Sequence, residues 1–81
     1  MNPLLVEFAG TALLVAAVSY IGTPIAVAGA LFLGLLLSSS AQLNPAVTLW
    51  AFFSNKIGAT AAVHNMLAQA AGALAVWAIK R

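Results

Sequence analysis

There is no cysteine in this 81-residue chain. Disulfides, thiolate metal sites and dithiol redox chemistry are thereby excluded. Acid is nearly absent as well: Glu7 is the one Asp or Glu, set against three Lys or Arg and one His. A metal centre needs a gathered ligand set, and acid–base or covalent catalysis needs a nucleophile beside a base. Neither is present in the sequence, so the expectation is a protein that is not an enzyme and holds no metal or cofactor. The net charge of +2 reflects the shortage of acid and forms no basic patch, which argues against nucleic acid as a partner. Charged residues amount to 5% of the chain, where a soluble domain carries roughly 25%.

What fills the chain is apolar: 64% of its residues are hydrophobic. No charged side chain stands between Glu7 and Lys56, and only His64 is titratable between Lys56 and Lys80. Uncharged apolar stretches of this length read as membrane-crossing helices. The length allows one domain, residues 1–81. The first apolar stretch has no Lys or Arg ahead of it and carries Glu7 near its start. A secretory signal has the opposite charge pattern, so the expectation is a retained helix.

Helix grammar divides the chain. Asn2-Pro3 is an N-cap followed by proline at the first helical position, and Ile21-Gly22-Thr23-Pro24 is a breaker. A helix over 3–20 would span about 27 Å, just enough for a hydrocarbon core of about 30 Å. A second helix is expected over 24–37, with Ala26, Ala30 and Gly34 spaced by four as a packing stripe. A third long helix is expected over 57–80, with a small pair at Ala68 and Gly72 and Asn65 and Gln69 sharing one face. Trp77, Lys80 and Arg81 make an interfacial anchor at its end. His64 is expected at headgroup level near its start.

Between the second and third long helices lies "SSSAQLNPAVTLWAFFSNK", a polar turn inside an apolar chain. Asn44-Pro45 repeats the grammar of Asn2-Pro3. The helix that follows, over 45–54, would be about 15 Å long, half a bilayer. Two readings fit these residues. One is a loop over 38–44 that dips into the membrane and returns as a half-helix, which requires burial in protein or a water-filled path. The other is a surface turn followed by an interfacial helix. Ser38, Ser39 and Ser40 are expected to cap the second helix and line a vestibule.

The stretch "AQLNPAVT", with its Asn44-Pro45-Ala46 triplet, closely resembles the signature of the aquaporin and glycerol-facilitator family. "VEFAGT" from Val6 to Thr11 is similar to that family's first-helix motif, and "AQAAGA" from Ala68 to Ala73 to its third-helix motif. The three occur in order on the expected elements and cover essentially the whole chain. In extent the chain matches one repeat of a family built from two inverted repeats. Val47 follows the triplet, as in the first repeat; the second repeat usually carries there an arginine of the selectivity filter. "SSSAQ" replaces a longer Gly- and His-containing loop, so filter carbonyls do not carry over.

The resemblance implies an all-α membrane protein: three transmembrane helices plus one re-entrant half-helix, its pore completed by a second, inverted copy. It implies a passive channel for water or a small neutral solute such as glycerol. Asn44, with Pro45 and Ala46, would line the pore and offer its amide NH₂ to the solute, and Val47 would stand at the filter position. Glu7 would brace the loop by accepting from its backbone N–H groups, with Thr11 on the same face, and Gln69 would be a second brace. A Glu7 at headgroup level, one turn inside the helix, is the alternative. Helix-end cations number one on the Lys56 side and two, Lys80 and Arg81, on the other, a weak orientation bias. The chain is therefore expected in a multi-pass, dual-topology form, in the plasma membrane. It would pair as antiparallel homodimers in contact with lipid, with four pores to an assembly. Other readings stay open: a non-conducting accessory subunit, a half that needs a separate complementary chain, a family member cut after its third helix, and a small proton-coupled exporter.

Overall fold

The computed structural model describes residues 2–37 and 41–81. Among them are four helices: α1 (Pro3–Tyr20), α2 (Pro24–Leu37), α3 (Pro45–Phe53) and α4 (Ala59–Lys80). All three prolines of the chain stand at the first position of a helix, where the missing N–H has no helical partner to lose. Asn2 caps α1, its Oδ1 accepting from Leu4 N at 2.8 Å and Leu5 N at 3.4 Å. Thr23 does the same for α2, accepting from Ala26 N. α1 stops where Gly22 takes φ +77°, a backbone state that glycine adopts without penalty, and returns its N–H to Ala17 O.

The short helix α3 ends on a Schellman closure. Asn55, at φ 61°, donates to Phe52 O, and Lys56 donates to Ala51 O. This fixes two boundaries differently from the sequence expectation. α3 ends at Phe53 because Ser54 is already its C-cap, and α4 begins at Ala59 because Gly58, extended at ψ 170°, is its N-cap. The expected capping by Ser38, Ser39 and Ser40 lies outside the described residues.

Two of the four helices, α1 with 18 residues and α4 with 22, are long and apolar enough to cross a membrane. α2 has 14 residues and reaches about 21 Å. α1 packs on α2 and α4, and α3 packs on α4. α1 and α4 run parallel: Pro3 shares a cavity with Ile57 and Ala61 at one end, and Lys80 donates to Ser19 O at the other.

Small residues set the spacing. A Cβ on Gly72 would lie 2.5 Å from Phe8 O and 3.0 Å from Ala12 N, so α4 rests directly on the α1 backbone. Leu43, in the left-handed region at φ 61°, drives its side chain into a notch formed by Gly10 of α1 and Gly34 of α2. Of the stripe expected on α2, Ala30 and Gly34 are buried and Ala26 is half-buried.

The distribution of polarity is inverted relative to a soluble domain. Among the described residues the buried polar side chains are Glu7, Thr11, Thr48 and Gln69. Large apolar side chains face outward, among them Ile25 at 84%, Ile79 at 80% and Phe53 at 78% exposure.

Two glycine substitutions separate packing from helix propensity. Gly72→Ala must move backbone atoms of α1 and is expected to cost about 1–3 kcal/mol, the range for overpacking. Gly29→Ala meets nothing within 4 Å and is expected to be neutral or to add up to about 1 kcal/mol. Thermal unfolding in detergent, followed by circular dichroism, checks both.

Candidate functional site

The loop that precedes α3 is tied down from 35 residues away. The carboxylate of Glu7, 3% exposed on α1, accepts from Gln42 N through Oε2 at 2.8 Å and from Leu43 N through Oε1 at 2.8 Å. Backbone N–H groups in an irregular segment have no helical partner, and leaving them buried and unpaired is costly. The strongest acceptor in the chain supplies what the loop cannot supply itself. Val6, Ala41 and Leu43 form a buried apolar cluster around that contact and shield it.

The same carboxylate oxygen also accepts from Gln69 Nε2 at 2.9 Å. Gln69, 1% exposed on α4, sends its other amide proton to Thr48 Oγ1 at 2.8 Å. Thr48 is fully buried one turn into α3 and donates to Gln42 Oε1 at 2.8 Å. Asn65 Nδ2, one turn before Gln69, donates to the same Gln42 Oε1 at 3.0 Å. Glu7, Gln69, Thr48, Gln42 and Asn65 thus form one connected network joining α1, the loop, α3 and α4. Each bond runs in one direction, from an amide or hydroxyl donor to an oxygen acceptor, while Gln69 Oε1 is buried with no partner among the described residues. The negative carboxylate also lies close to the start of α3, where the helix dipole is positive.

The network presents Asn44 at its rim. Asn44 Oδ1 accepts from Ala46 N at 2.8 Å, the N-cap bond of α3. That bond turns the amide oxygen to the first turn of α3 and leaves the amide NH₂ of this exposed residue free to donate. Pro45, Ala46 and Val47 are exposed beside it on the first turn. Two recesses flank the network. One, of about 210 Å³, is lined by Glu7, Gln42, Asn65 and Pro3; the other, of about 270 Å³, by Asn44, Thr11, Gln69 and Leu14.

Glu7 and Gln69 therefore meet on one hydrogen-bond network, and Asn44, Pro45, Ala46 and Val47 gather at the α3 tip beside it. Thr11 is buried, but its Oγ1 has no hydrogen-bond partner among the described residues, so it lies near the brace without belonging to it. His64 is exposed on α4. Gln42 and Thr48, the hub of the network, were not singled out by sequence reasoning. The available signal was their polarity in an apolar segment, with Thr48 four residues after the Asn44 cap. Chemically the site offers hydrogen-bond donors and acceptors in fixed directions. No protein-family model, no curated protein and no solved structure matches this chain.

Glu7→Gln replaces a group that accepts three hydrogen bonds with an amide whose NH₂ must face an N–H donor. The expected cost is about 1.5–3 kcal/mol for each charge-assisted bond lost. Thr48→Val keeps the shape but leaves a Gln69 proton without its acceptor and Gln42 Oε1 with Asn65 as its remaining donor, an expected loss of about 1–3 kcal/mol. Denaturation midpoints in detergent measure both, and a parental midpoint for Glu7→Gln would contradict the bracing role.

Proposed function

We propose that this chain is one half of a passive membrane channel for water or a small neutral solute such as glycerol. The observation that carries the reading is the Asn44 cap: its oxygen is committed to Ala46 N, and its NH₂ is left as a fixed, exposed donor at the end of a nine-residue helix. A donor held this way can replace one hydrogen bond of a passing water or hydroxyl without supplying a charge. The positive end of α3 behind it, worth roughly half an elementary charge, repels cations at the same place. Exclusion of protons and cations by half-helix dipoles is a recognised selectivity device of aquaporin-type pores.

Support for a membrane setting comes from the apolar exterior around the buried Glu7, Thr48 and Gln69. In water those exposed side chains would aggregate; in lipid they are solvated, and irregular backbone at membrane depth is tolerated when protein buries it. On this reading α1, α2 and α4 are the three crossings, the short α2 being accommodated by local thinning of the bilayer, and α3 is a re-entrant half-helix. The resemblance of "VEFAGT", "AQLNPAVT" and "AQAAGA" to aquaporin motifs points the same way.

One copy presents only one wall. The reading therefore includes a second copy inserted upside down, related by a two-fold axis in the membrane plane, so that both α3 tips meet at the midplane. Every copy then contributes Val47 and no arginine at the constriction, and a filter without a fixed cation passes glycerol-sized solutes as well as water. A plasma-membrane location, both insertion orientations and grouping of pores in fours belong to the same proposal. The competing reading is a non-conducting subunit or a half served by a separate chain. The small proton-coupled exporter is a further alternative, and solute uptake that depends on a proton gradient would favour it.

Proteoliposomes containing this polypeptide alone test the proposal. Swelling and shrinkage by stopped-flow light scattering should show water flux well above protein-free vesicles, and glycerol entry with it. Asn44→Asp, which keeps the cap oxygen and loses the NH₂, should insert normally and lose most of the flux. Flux equal to that of empty vesicles would favour the non-conducting or two-chain reading, and full flux in Asn44→Asp would remove the donor role.

A further inference from the structure

No acidic side chain of this sequence lies beside the two cations at the end of α4. Glu7 is the sequence's only acid, and Glu7 is buried and engaged near the other end of α1. The Lys80 ammonium donates to Ser19 O and lies 5.1 Å from the centre of the Tyr20 ring. The Arg81 guanidinium lies over the Trp77 ring at 5.2 Å. Between them runs a groove of about 470 Å³, lined by Val15, Ser19, Trp77, Lys80 and Arg81.

The floor and rim of this groove differ in kind. Val15 and the half-open face of Trp77 continue the apolar exterior of α1 and α4. The rim carries two positive charges with further donors: an ammonium has three protons, of which one is taken by Ser19 O, and a guanidinium has five N–H donors, two of which form an edge. That edge fits two oxygens of a tetrahedral anion at once. The α4 C-terminal dipole offers about half a negative charge beside the two cationic side chains. An anion joined to an apolar tail satisfies both parts, whereas a free anion satisfies the rim alone.

We propose that the groove between the C-terminal turns of α1 and α4 is a binding site for an anionic phospholipid, its phosphodiester on Lys80 and Arg81 and its first acyl carbons along Val15 and Trp77. The site rests on the membrane setting of the preceding reading and not on conduction. Tyr20 and Trp77 lie at the level where aromatic side chains meet lipid headgroups, and basic residues between helix ends are a recurrent headgroup seat. With one such groove per copy, antiparallel copies would hold anionic lipid in both leaflets.

Trp77 reports occupancy directly. In the Trp50→Phe variant it is the one tryptophan of the chain. Phosphatidylcholine vesicles carrying this variant and a minor fraction of brominated phosphatidylglycerol should show stronger quenching of Trp77 emission than vesicles with the same fraction of brominated phosphatidylcholine. The corresponding local enrichment should be on the order of tenfold, from two cations near the bilayer surface. Lys80→Gln with Arg81→Gln should abolish the preference, Lys56→Gln should leave it, and excess inorganic phosphate should not release the lipid. Equal quenching by both lipids would overturn the site while leaving the membrane setting intact. No quenching by either lipid would overturn the membrane setting and the site with it. A preference that survives the double substitution, or release by inorganic phosphate, would also overturn the proposal, the latter identifying a free-anion site.

Discussion

A carboxylate holding two backbone N–H groups is the contact on which this molecule turns. The segment before α3 is irregular, and an apolar chain gives irregular backbone nowhere to spend its hydrogen bonds. Glu7 resolves that conflict by accepting from Gln42 N and Leu43 N together. With those two amides fixed, Leu43 can take its left-handed conformation and seat its side chain between Gly10 and Gly34. The next residue is then Asn44, so the cap, the direction of α3 and the exposed NH₂ all follow from where the carboxylate stands. Gln69 and Thr48 stiffen the arrangement from the far side, and their cooperation makes its parts interdependent.

The polar network is affordable because the rest of the chain is so apolar. The helices meet through glycine and alanine: Gly72 lets α4 lie against the α1 backbone, and the Gly10–Gly34 notch admits one leucine. Close approach of this kind maximises dispersion contacts where burial of apolar surface from water is not the driving force, as between helices in lipid. Large side chains are thereby turned outward, which is the inverse of a water-soluble core. Function, on the reading proposed, uses the same inversion: a few polar groups inside a greasy shell form a narrow route that only uncharged, hydrogen-bonding molecules can take.

Much of the architecture was legible in the residues. Each proline with its preceding polar cap marked a helix start, and Gly22 marked a stop. The limits of α3 and α4 were less so, because the Asn55 turn and the Gly58 cap are decided by backbone geometry and not by composition. Glu7 and Gln69 could be singled out because a carboxylate or a carboxamide in an apolar helix needs a partner. Their partners could not all be named from spacing: Gln42 lies 35 residues from Glu7, and Thr48 lies 21 from Gln69. Such pairs are made by helix packing, and nothing local announces them. Thr11 shows the converse, since helical spacing places it on the face of Glu7 yet its hydroxyl reaches no partner among the described residues.

Amide hydrogen exchange of Gln42 and Leu43, read by nuclear magnetic resonance with the chain in lipid nanodiscs, tests the central contact most directly. If Glu7 holds the loop inside the molecule, both amides exchange as slowly as the interior amides of α1 and α4, although neither belongs to a helix. If the two exchange at the rate of the exposed Gly58 and Ala59, whose N–H groups precede the first helical bond of α4, the loop is open to water, the carboxylate does not hold it, and the account built on that contact is wrong.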